Sequence, residues 1–317
     1  MVSLAPTAAD RPDALPTDRL FASGRARPGI APGLRDVPDR RNLFAVVSVW
    51  FQITGGWVVA GQLRHPLVGI AVVLWVGRCI SLIFLLNHES VHALLFSRRR
   101  FNDAVGRYLL AAPVFLSYEG YRDAHLAHHK DELGPGEPDM GLYAGYPTTW
   151  ARFANRVRRD ALGRSGSKQL RLLLGGRRSL IARVAAANVL VALAAWAATG
   201  AWWAWLIVWL LPWATVWQVI NRLRAIAEHA GLEPGDDRRL NCHVVRQTWL
   251  PGQVLVPFKS GYHLAHHVDT SIPWTKLETL NTELVDAGWI TSTITHRSYR
   301  ALWRYLVTGA RPTATAS

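Results

Sequence analysis

The sequence predicts an all-α integral membrane protein with four spanning helices in two hairpins and a helical cap on the cytoplasmic side. Three observations predict this fold. Half of the 317 residues are hydrophobic, two apolar stretches follow each other near the start of the chain, and residues 184–221 contain no charged side chain. An apolar stretch of about 20 residues is long enough to cross the hydrocarbon core of a bilayer as a helix.

The chain divides into a tail, one large domain and a short end. Spanning helices are predicted at about 43–63, 66–86, 184–199 and 201–220. Only Arg64-His65 separates the first pair and only Gly200 the second, so each pair must form an antiparallel hairpin. Residues 1–41 contain six prolines and little apolar periodicity, which predicts a flexible N-terminal tail. The single domain then covers 42–310, and 311–317 is a frayed C-terminus.

Charge predicts the orientation in the membrane. The polar section 87–183 carries 16 Lys or Arg and the section 221–317 carries 11, whereas the two hairpin turns carry only Arg64. By the positive-inside rule the turns face outward, and both termini and the cap, 87–183 and 221–310, face the cytoplasm. The net charge of +14 would also suit a nucleic-acid-binding protein. The long apolar runs favour a membrane protein instead, and we expect no nucleic-acid partner.

Histidines are the residues most clearly grouped in this chain. Nine of the twelve fall in the boxes HxxxH, HxxHH and HxxHH and at one further position. They are His88, His92, His125, His128, His129, His229, His263, His266 and His267. Residues three and four apart share one face of a helix, and neutral imidazole is a common ligand of iron, copper and zinc. All four clusters fall on the predicted cytoplasmic side, so they predict one polynuclear metal site.

The spacing of the clusters bears on geometry and on the choice of metal. If the second and fourth spanning helices continue beyond the membrane, they bring His88, His92 and His229 to a similar height. Structural zinc usually takes four ligands, often with cysteine, and nine histidines are too many. Haem would need single histidines inside the apolar helices. Copper remains an alternative, and a di-iron site is the strongest interpretation.

The ordered boxes, with spanning helices between and around them, resemble the membrane fatty acid desaturase/hydroxylase superfamily over about residues 42–290. His229 matches the additional ligand of that family, and Ile272-Pro273-Trp274 resembles the segment that follows its third box. The resemblance implies a non-haem di-iron centre held by the nine histidines, with O2 as co-substrate. It also implies an external electron donor such as ferredoxin with its reductase, and a lipophilic substrate.

Polar residues beside the boxes are candidates for orienting the ligands, since carboxylates commonly accept hydrogen bonds from metal-bound imidazoles. These candidates are Glu89, Asp123, Glu228 and Asp269, and the resemblance implies that Asn221 could contact the metals through water, as an asparagine does in some relatives. The alternative for the four acids is ordinary ion pairing with Arg122, Arg222 or Arg224. His65, His243 and His296 are interpreted as ordinary histidines, His243 being the least certain. Arg78 lies inside a spanning helix, either as a functional charge or as one that extends to the interface.

Together these features predict a desaturase that uses O2 to introduce a C=C bond into a fatty acyl or similar lipophilic chain. A hydroxylase or ketolase of an alkane, carotenoid or amino-acid-derived substrate is the alternative on the same scaffold, because the boxes are shared. A non-catalytic membrane metal-binding or transport protein is the third alternative. Transport would place polar ligands near the bilayer midplane, whereas these clusters lie at one end.

Overall fold

The computed structural model describes residues 3–30 and 32–309, and these are mostly helical. In chain order the α-helices are α1 (Asp39–Leu63), α2 (Pro66–Val91), α3 (Arg99–Ala104), α4 (Tyr118–Lys130), α5 (Met140–Tyr143), α6 (Trp150–Ala161), α7 (Arg164–Leu174), α8 (Arg178–Thr199), α9 (Leu211–Ala214), α10 (Val216–His229), α11 (Trp249–Val254), α12 (His263–Val268), α13 (Leu277–Asp286) and α14 (Tyr299–Thr308). Short 3₁₀ helices occupy Ala8–Asp10, Ala112–Val114 and Trp274–Lys276, and π-helical turns occupy Val105–Ala111 and Leu206–Leu210. The strands β1 (Val244–Val245) and β2 (Thr295–His296) pair in parallel.

Four helical segments among the described residues are long and apolar enough to cross a membrane. They are α1, α2, α8 and the run Leu206–His229, which joins a π-helical turn to α9 and α10. The predicted number of spans is therefore confirmed. Two of them continue past their predicted ends, α2 to Val91 rather than 86 and the fourth to His229 rather than 220. The apolar pattern stops before the helix does, because backbone hydrogen bonding does not depend on the polarity of the side chains.

The chain folds as two compact units. Among the described residues, the first unit contains 3–30, 32–36, Ala124–Asn155 and 222–309, and the second contains Val37–Asp123 and Arg156–Asn221. This division differs from the predicted tail followed by one domain over 42–310. Sequence pattern marks where apolar runs start and stop, but it does not reveal which distant segments pack together.

In the second unit, α1 and α2 are joined by polar side-chain bonds as well as by apolar packing. Asn42 Nδ2 on α1 donates to the carbonyl oxygens of Leu94 at 3.1 Å and Leu95 at 2.8 Å, in the loop that follows α2. Arg78 on α2 donates to Gln52 Oε1 at 2.8 Å, and its guanidinium lies 4.9 Å from the ring centre of Trp75. These contacts give Arg78 a structural role inside the unit.

Buried tryptophans and one glycine shape the rest of the second unit. Trp57 on α1 is fully buried and donates its indole N–H to the carbonyl of Val208 at 3.1 Å. Its ring meets that of Trp209 edge-on at 5.9 Å. Gly200 ends α8 with φ of 73°, a left-handed conformation that glycine adopts without strain, as the predicted turn requires.

In the first unit, the N-terminal segment packs against α12 and α13. Leu20, Ala26 and Leu34 are buried in one apolar cluster with Leu264 and other residues of these helices. Polar contacts add to this packing, because Arg35 Nη2 lies 2.6 Å from the buried carboxylate of Asp269. The described part of this segment therefore differs from a flexible tail. Single apolar residues among prolines carry no periodicity, so only the tertiary contacts reveal their burial.

Candidate metal centre

Helix α4 presents the second histidine box to the first unit from its last turns. His125 and His128 are buried there and His129 is half-buried. Because 3.6 residues make one turn, His125 and His129 stand one above the other. The Nε2 atoms of these two residues are 3.0 Å apart.

Helices α10 and α12 supply the other histidines of the first unit. His229 is the last residue of α10 and is buried. Helix α12 is buried along its whole length, so His263, His266 and His267 are all shielded from solvent. Its apolar residues Leu264 and Ala265 belong to the core cluster, which holds the short helix in place.

These seven histidines form two adjoining groups. In one group His129 Nε2 lies 3.0 Å from His125 Nε2 and 3.2 Å from His266 Nε2. In the other group, one ligand atom from each residue lies within 4.8 Å of the others; its members are His128, His229, His263 and His267. The groups adjoin, since the ring centroids of His129 and His267 are 4.3 Å apart. Each group could hold a metal ion.

Carboxylates and a carbonyl lie behind the imidazoles and contact their Nδ1 atoms. The carbonyl oxygen of Asn241 accepts from His229 Nδ1 at 2.7 Å, and Glu137 Oε2 lies 2.7 Å from His128 Nδ1. Glu228 Oε1 lies 3.5 Å from His263 Nδ1. Partners of this kind fix the tautomer and orientation of a ligating imidazole and leave Nε2 for the metal.

The carboxylate of Glu132 lies beside two of the histidines, His229 and His267. Its Oε1 lies 2.9 Å from His229 Nδ1, and its Oε2 lies 3.1 Å from His267 Nδ1 in an orientation that misses hydrogen-bond geometry. Arg238 pairs with the same carboxylate at 2.7 Å, and the Cys242 thiol donates to it at 3.1 Å. Burial raises the pKa of Cys242 well above its ordinary value, so this sulfur is a neutral donor to Glu132.

The surroundings keep key imidazoles neutral and therefore able to ligate. Burial, and then the neighbouring His229, lower the pKa of His263 well below 6.5. Burial and His129 do the same to the pKa of His267. For Glu137, burial raises the pKa, but the hydrogen bond and charge of His128 outweigh it and hold the pKa at about 2. The carboxylate behind His128 is thus ionised at neutral pH.

The donor atoms fit a metal, as one pair of nitrogens shows. His229 Nε2 and His263 Nε2 are 2.8 Å apart. His229 donates from Nδ1 to the carbonyl of Asn241. Burial lowers the pKa of His229, but the charge and hydrogen bond of Glu132 outweigh burial and raise the pKa above 6.5, so a cation that binds Nε2 displaces a proton. The buried His267 Nε2 has no hydrogen-bond partner among the described residues. A buried ring nitrogen without a partner is costly unless a cation binds it, so the set can hold metal.

The first histidine box lies in the second unit. His88 is on the last turn of α2 and His92 directly follows the helix, as the predicted extension requires. Their ring centroids are 4.8 Å apart. Ser90 lies between these two histidines in the sequence, and its Oγ donates a hydrogen bond to the hydroxyl of Tyr118 on the first turn of α4 at 3.2 Å. This bond holds the end of α2 against the start of α4.

The predicted orienting residues lie in different surroundings. Glu228 faces His263, and the buried Glu89 lies 3.8 Å from His88 Nδ1. Asp123 is exposed, and Asn221 is buried on α10. Asp269 binds Arg35, so it forms an ion pair, though with an arginine that the sequence did not indicate.

Three histidines outside the boxes have ordinary surroundings. His65 is exposed and accepts from the backbone N–H of Leu67 at 3.3 Å, capping α2. His243 is buried with its Nε2 2.9 Å from the carbonyl of Ala230, and its ring lies 5.4 Å from that of His296. None of these three is among the metal-binding groups of the described residues.

Sequence reasoning missed Glu132 and Glu137. Both follow the second box within eight residues, and Glu137 lies in the turn-rich stretch Gly134–Asp139. Buried acids near a histidine box are a usable signal, since a buried carboxylate needs a partner. Their burial, however, is visible only in the folded chain.

Comparison with known proteins agrees with this geometry. Residues 64–299 match the family "Fatty acid desaturase". A beta-carotene ketolase from Paracoccus sp. (strain N81106 / MBIC 01143) is 24% identical over 226 residues, 69% of this chain and 81% of the relative. A dihydrorhizobitoxine desaturase from Bradyrhizobium elkanii is 24% identical over 227 residues, 64% of each chain. Since the family match covers most of the residues, including all nine clustered histidines, the protein belongs to the fatty acid desaturase family and is an oxidoreductase.

Proposed function

We propose that this protein is an O2-dependent di-iron enzyme that introduces a C=C bond into a fatty acyl or similar lipophilic chain. The observation that carries the proposal is the convergence of seven buried or half-buried imidazoles from α4, α10 and α12, with carboxylates behind them. Family membership favours this enzyme over a non-catalytic metal-binding or transport protein.

The proposed ligands are the nine clustered histidines. His88 and His92 complete the set in this proposal, and two contacts within the second unit support it. The α2 segment before them packs on the first turn of α4 through Phe84 and Tyr121, whose ring centroids are 5.1 Å apart, and through Ser90 and Tyr118. Helix α4 also carries the second histidine box. The first and second boxes are therefore carried by the ends of two helices, α2 and α4, that pack against each other.

Two bound irons would supply the activation of O2 that is needed to remove hydrogen from unactivated C–H bonds. The protein's own groups hold the imidazoles in one orientation, keep His263 and His267 neutral and exclude water. Glu132, Glu137 and Glu228 lie behind the ligands, and the low pKa of Glu137 keeps that acceptor ionised. The electrons come from an external carrier such as ferredoxin with its reductase.

We also propose that α1 with α2, and α8 with the fourth span, form two hairpins in the bilayer. Both termini and the metal site then face the cytoplasm, with the remaining helices forming the cap there. The distribution of Lys and Arg supports this orientation. Cysteines placed at Arg64 and at Arg98 should react with an impermeant thiol reagent from opposite sides. Labelling of both from one side would contradict the topology.

Metal analysis and product analysis of the purified chain test the function together. We expect about two irons per chain, and loss of iron and of product in His263→Ala. His65→Ala is the matched control, because it removes an exposed imidazole outside the clusters and should keep both. Full activity of His263→Ala would refute the proposed site, and a chain that binds iron but oxidises no lipophilic substrate would refute the activity.

A ketolase or hydroxylase is the second candidate, and the match to most of the length of a beta-carotene ketolase favours it. The two chemistries differ in atom balance. Desaturation removes two hydrogens from substrate, whereas hydroxylation and ketolation add oxygen. Reaction under 18O2 with an acyl chain and with a carotene separates them, since label in the product indicates oxygenation and its absence with a new C=C bond indicates desaturation.

A further inference from the structure

The chain around α7 in the second unit is strongly basic. Residues 156–183 carry nine Lys or Arg and one acid, Asp160. That acid is buried and accepts a hydrogen bond from Ser165. Arg159, Arg164, Lys168 and Arg171 are all exposed, so the positive charge at α7 faces outward.

One face of α7 is fixed to the rest of the second unit. Gly166 approaches so closely that a Cβ added there would lie 2.8 Å from the Cα of Ala214 on α9. Gln218 donates to Gln169 at 2.9 Å, and Leu173 is buried in a cluster with Val184. Helix α7 thus cannot turn its basic face inward, because the opposite face is held by packing.

The outward face forms a shallow cleft of about 690 Å³. Its lining consists of Arg159, Leu162, Arg164, Ser167, Lys168, Arg171 and Leu172. Arg164, Lys168 and Arg171 are four and three residues apart, so they share one side of α7. Among the residues that the structure describes, Arg159, Arg164 and Lys168 have no acidic partner. Leu162 and Leu172 beside them are 63% and 67% exposed.

We propose that this cleft binds the phosphate-bearing headgroup of an anionic phospholipid. The candidate span α8 begins at Arg178, only four residues after α7 ends, so the cleft precedes a membrane helix directly. Cations next to a span attract anionic lipid, and exposed leucines beside them suit the acyl boundary of the interface. An acidic protein would leave these leucines facing a charged surface. The cleft shares no residue with the metal centre, and the proposal does not depend on the proposed oxidation.

The test measures lipid binding by the detergent-solubilised full chain. The probes are fluorescent phosphatidylglycerol and phosphatidylcholine with the same acyl chains. We expect wild type to prefer phosphatidylglycerol at least tenfold, with the preference falling in 1 M salt. The variant R159Q/K168Q/R171Q should bind phosphatidylglycerol about ten- to a hundredfold more weakly. The matched control R297Q/R300Q/R304Q removes three exposed arginines elsewhere and should retain the preference.

The outcomes separate this site from general positive charge. Thermal unfolding of all three proteins shows whether each is folded, and all altered side chains are exposed. Unchanged lipid preference in the cleft variant, or equal loss in the control, would overturn the proposal. So would a cleft variant that binds lipid normally but accepts electrons poorly from an acidic ferredoxin, which would assign the cleft to a protein partner. Because no turnover is measured with the lipids, failure here leaves the proposed oxidation untouched.

Discussion

Replacing Glu132 with glutamine tests whether the carboxylate behind His229 and His267 positions these ligands. The change keeps the shape of the side chain and removes its charge. His229 retains the carbonyl of Asn241 as an acceptor at 2.7 Å. His267 Nδ1 has Glu132 Oε2 at 3.1 Å and no hydrogen-bond partner among the described residues. We therefore expect the loss to fall mainly on His267.

The magnitude follows from what such carboxylates contribute elsewhere. Removing one weakens metal binding by about 10–100-fold, which corresponds to about 1.4–2.8 kcal/mol. The assay is iron retained by the purified chain against a series of chelator concentrations. Glu283→Gln is the control, because it removes an equal charge from a carboxylate that binds Arg19 in the same unit. Wild-type iron retention in Glu132→Gln, or equal loss in the control, would refute the positioning role.

Three further predictions concern stability. Gly77→Ala should destabilise the second unit by about 1–3 kcal/mol through overpacking, because the added Cβ would lie 2.4 Å from Val216. Gly69→Ala is the control, because its added Cβ would meet open space and should not destabilise the unit. Equal melting temperatures of the two variants would contradict this prediction. Arg35→Gln leaves the buried Asp269 with a weaker partner and should cost about 1–2 kcal/mol in thermal unfolding; an unchanged melting temperature would show that the ion pair contributes little. Burial raises the pKa of Asp237, but hydrogen bonds from Arg239 and Arg11 outweigh it and lower the pKa below 3.8. That stability is present above pH 3.8 and is lost as pH falls through the lower folded pKa, so Asp237→Asn should flatten unfolding curves in that acid range; an unaltered pH profile would count against it.

Several features were predictable because they depend on composition and short spacings. The number of spans followed from apolar length, since a helix must be about 20 residues long to cross the hydrocarbon. The histidine boxes followed from their spacing, because residues three and four apart share a helix face. The turn at Gly200 followed from one glycine between two apolar runs, and its positive φ agrees.

Other features depended on contacts between distant parts of the chain. Glu132 and Glu137 look like ordinary acids in a polar loop, and only the fold brings them against His229, His267 and His128. The buried residues Leu20, Ala26 and Leu34 do not recur at helix or strand spacing. The sequence therefore did not predict that the N-terminal segment packs against the rest of its unit. Asp123 and Asp269 were chosen as neighbours of ligands along the chain, a criterion that does not determine where a carboxylate points.

By itself, the amino-acid sequence determined that this protein is helical, crosses a membrane and carries histidines suited to metal, because length, polarity and helix periodicity are local properties. Tertiary structure alone decided which carbonyl and carboxylates stand behind those histidines and which segments pack as one unit. These choices require residues a hundred or more positions apart to meet, as Glu132 meets Arg238. No local sequence pattern predicts these long-range contacts. They form only when the whole chain pairs its buried charges and buries its apolar faces at the same time.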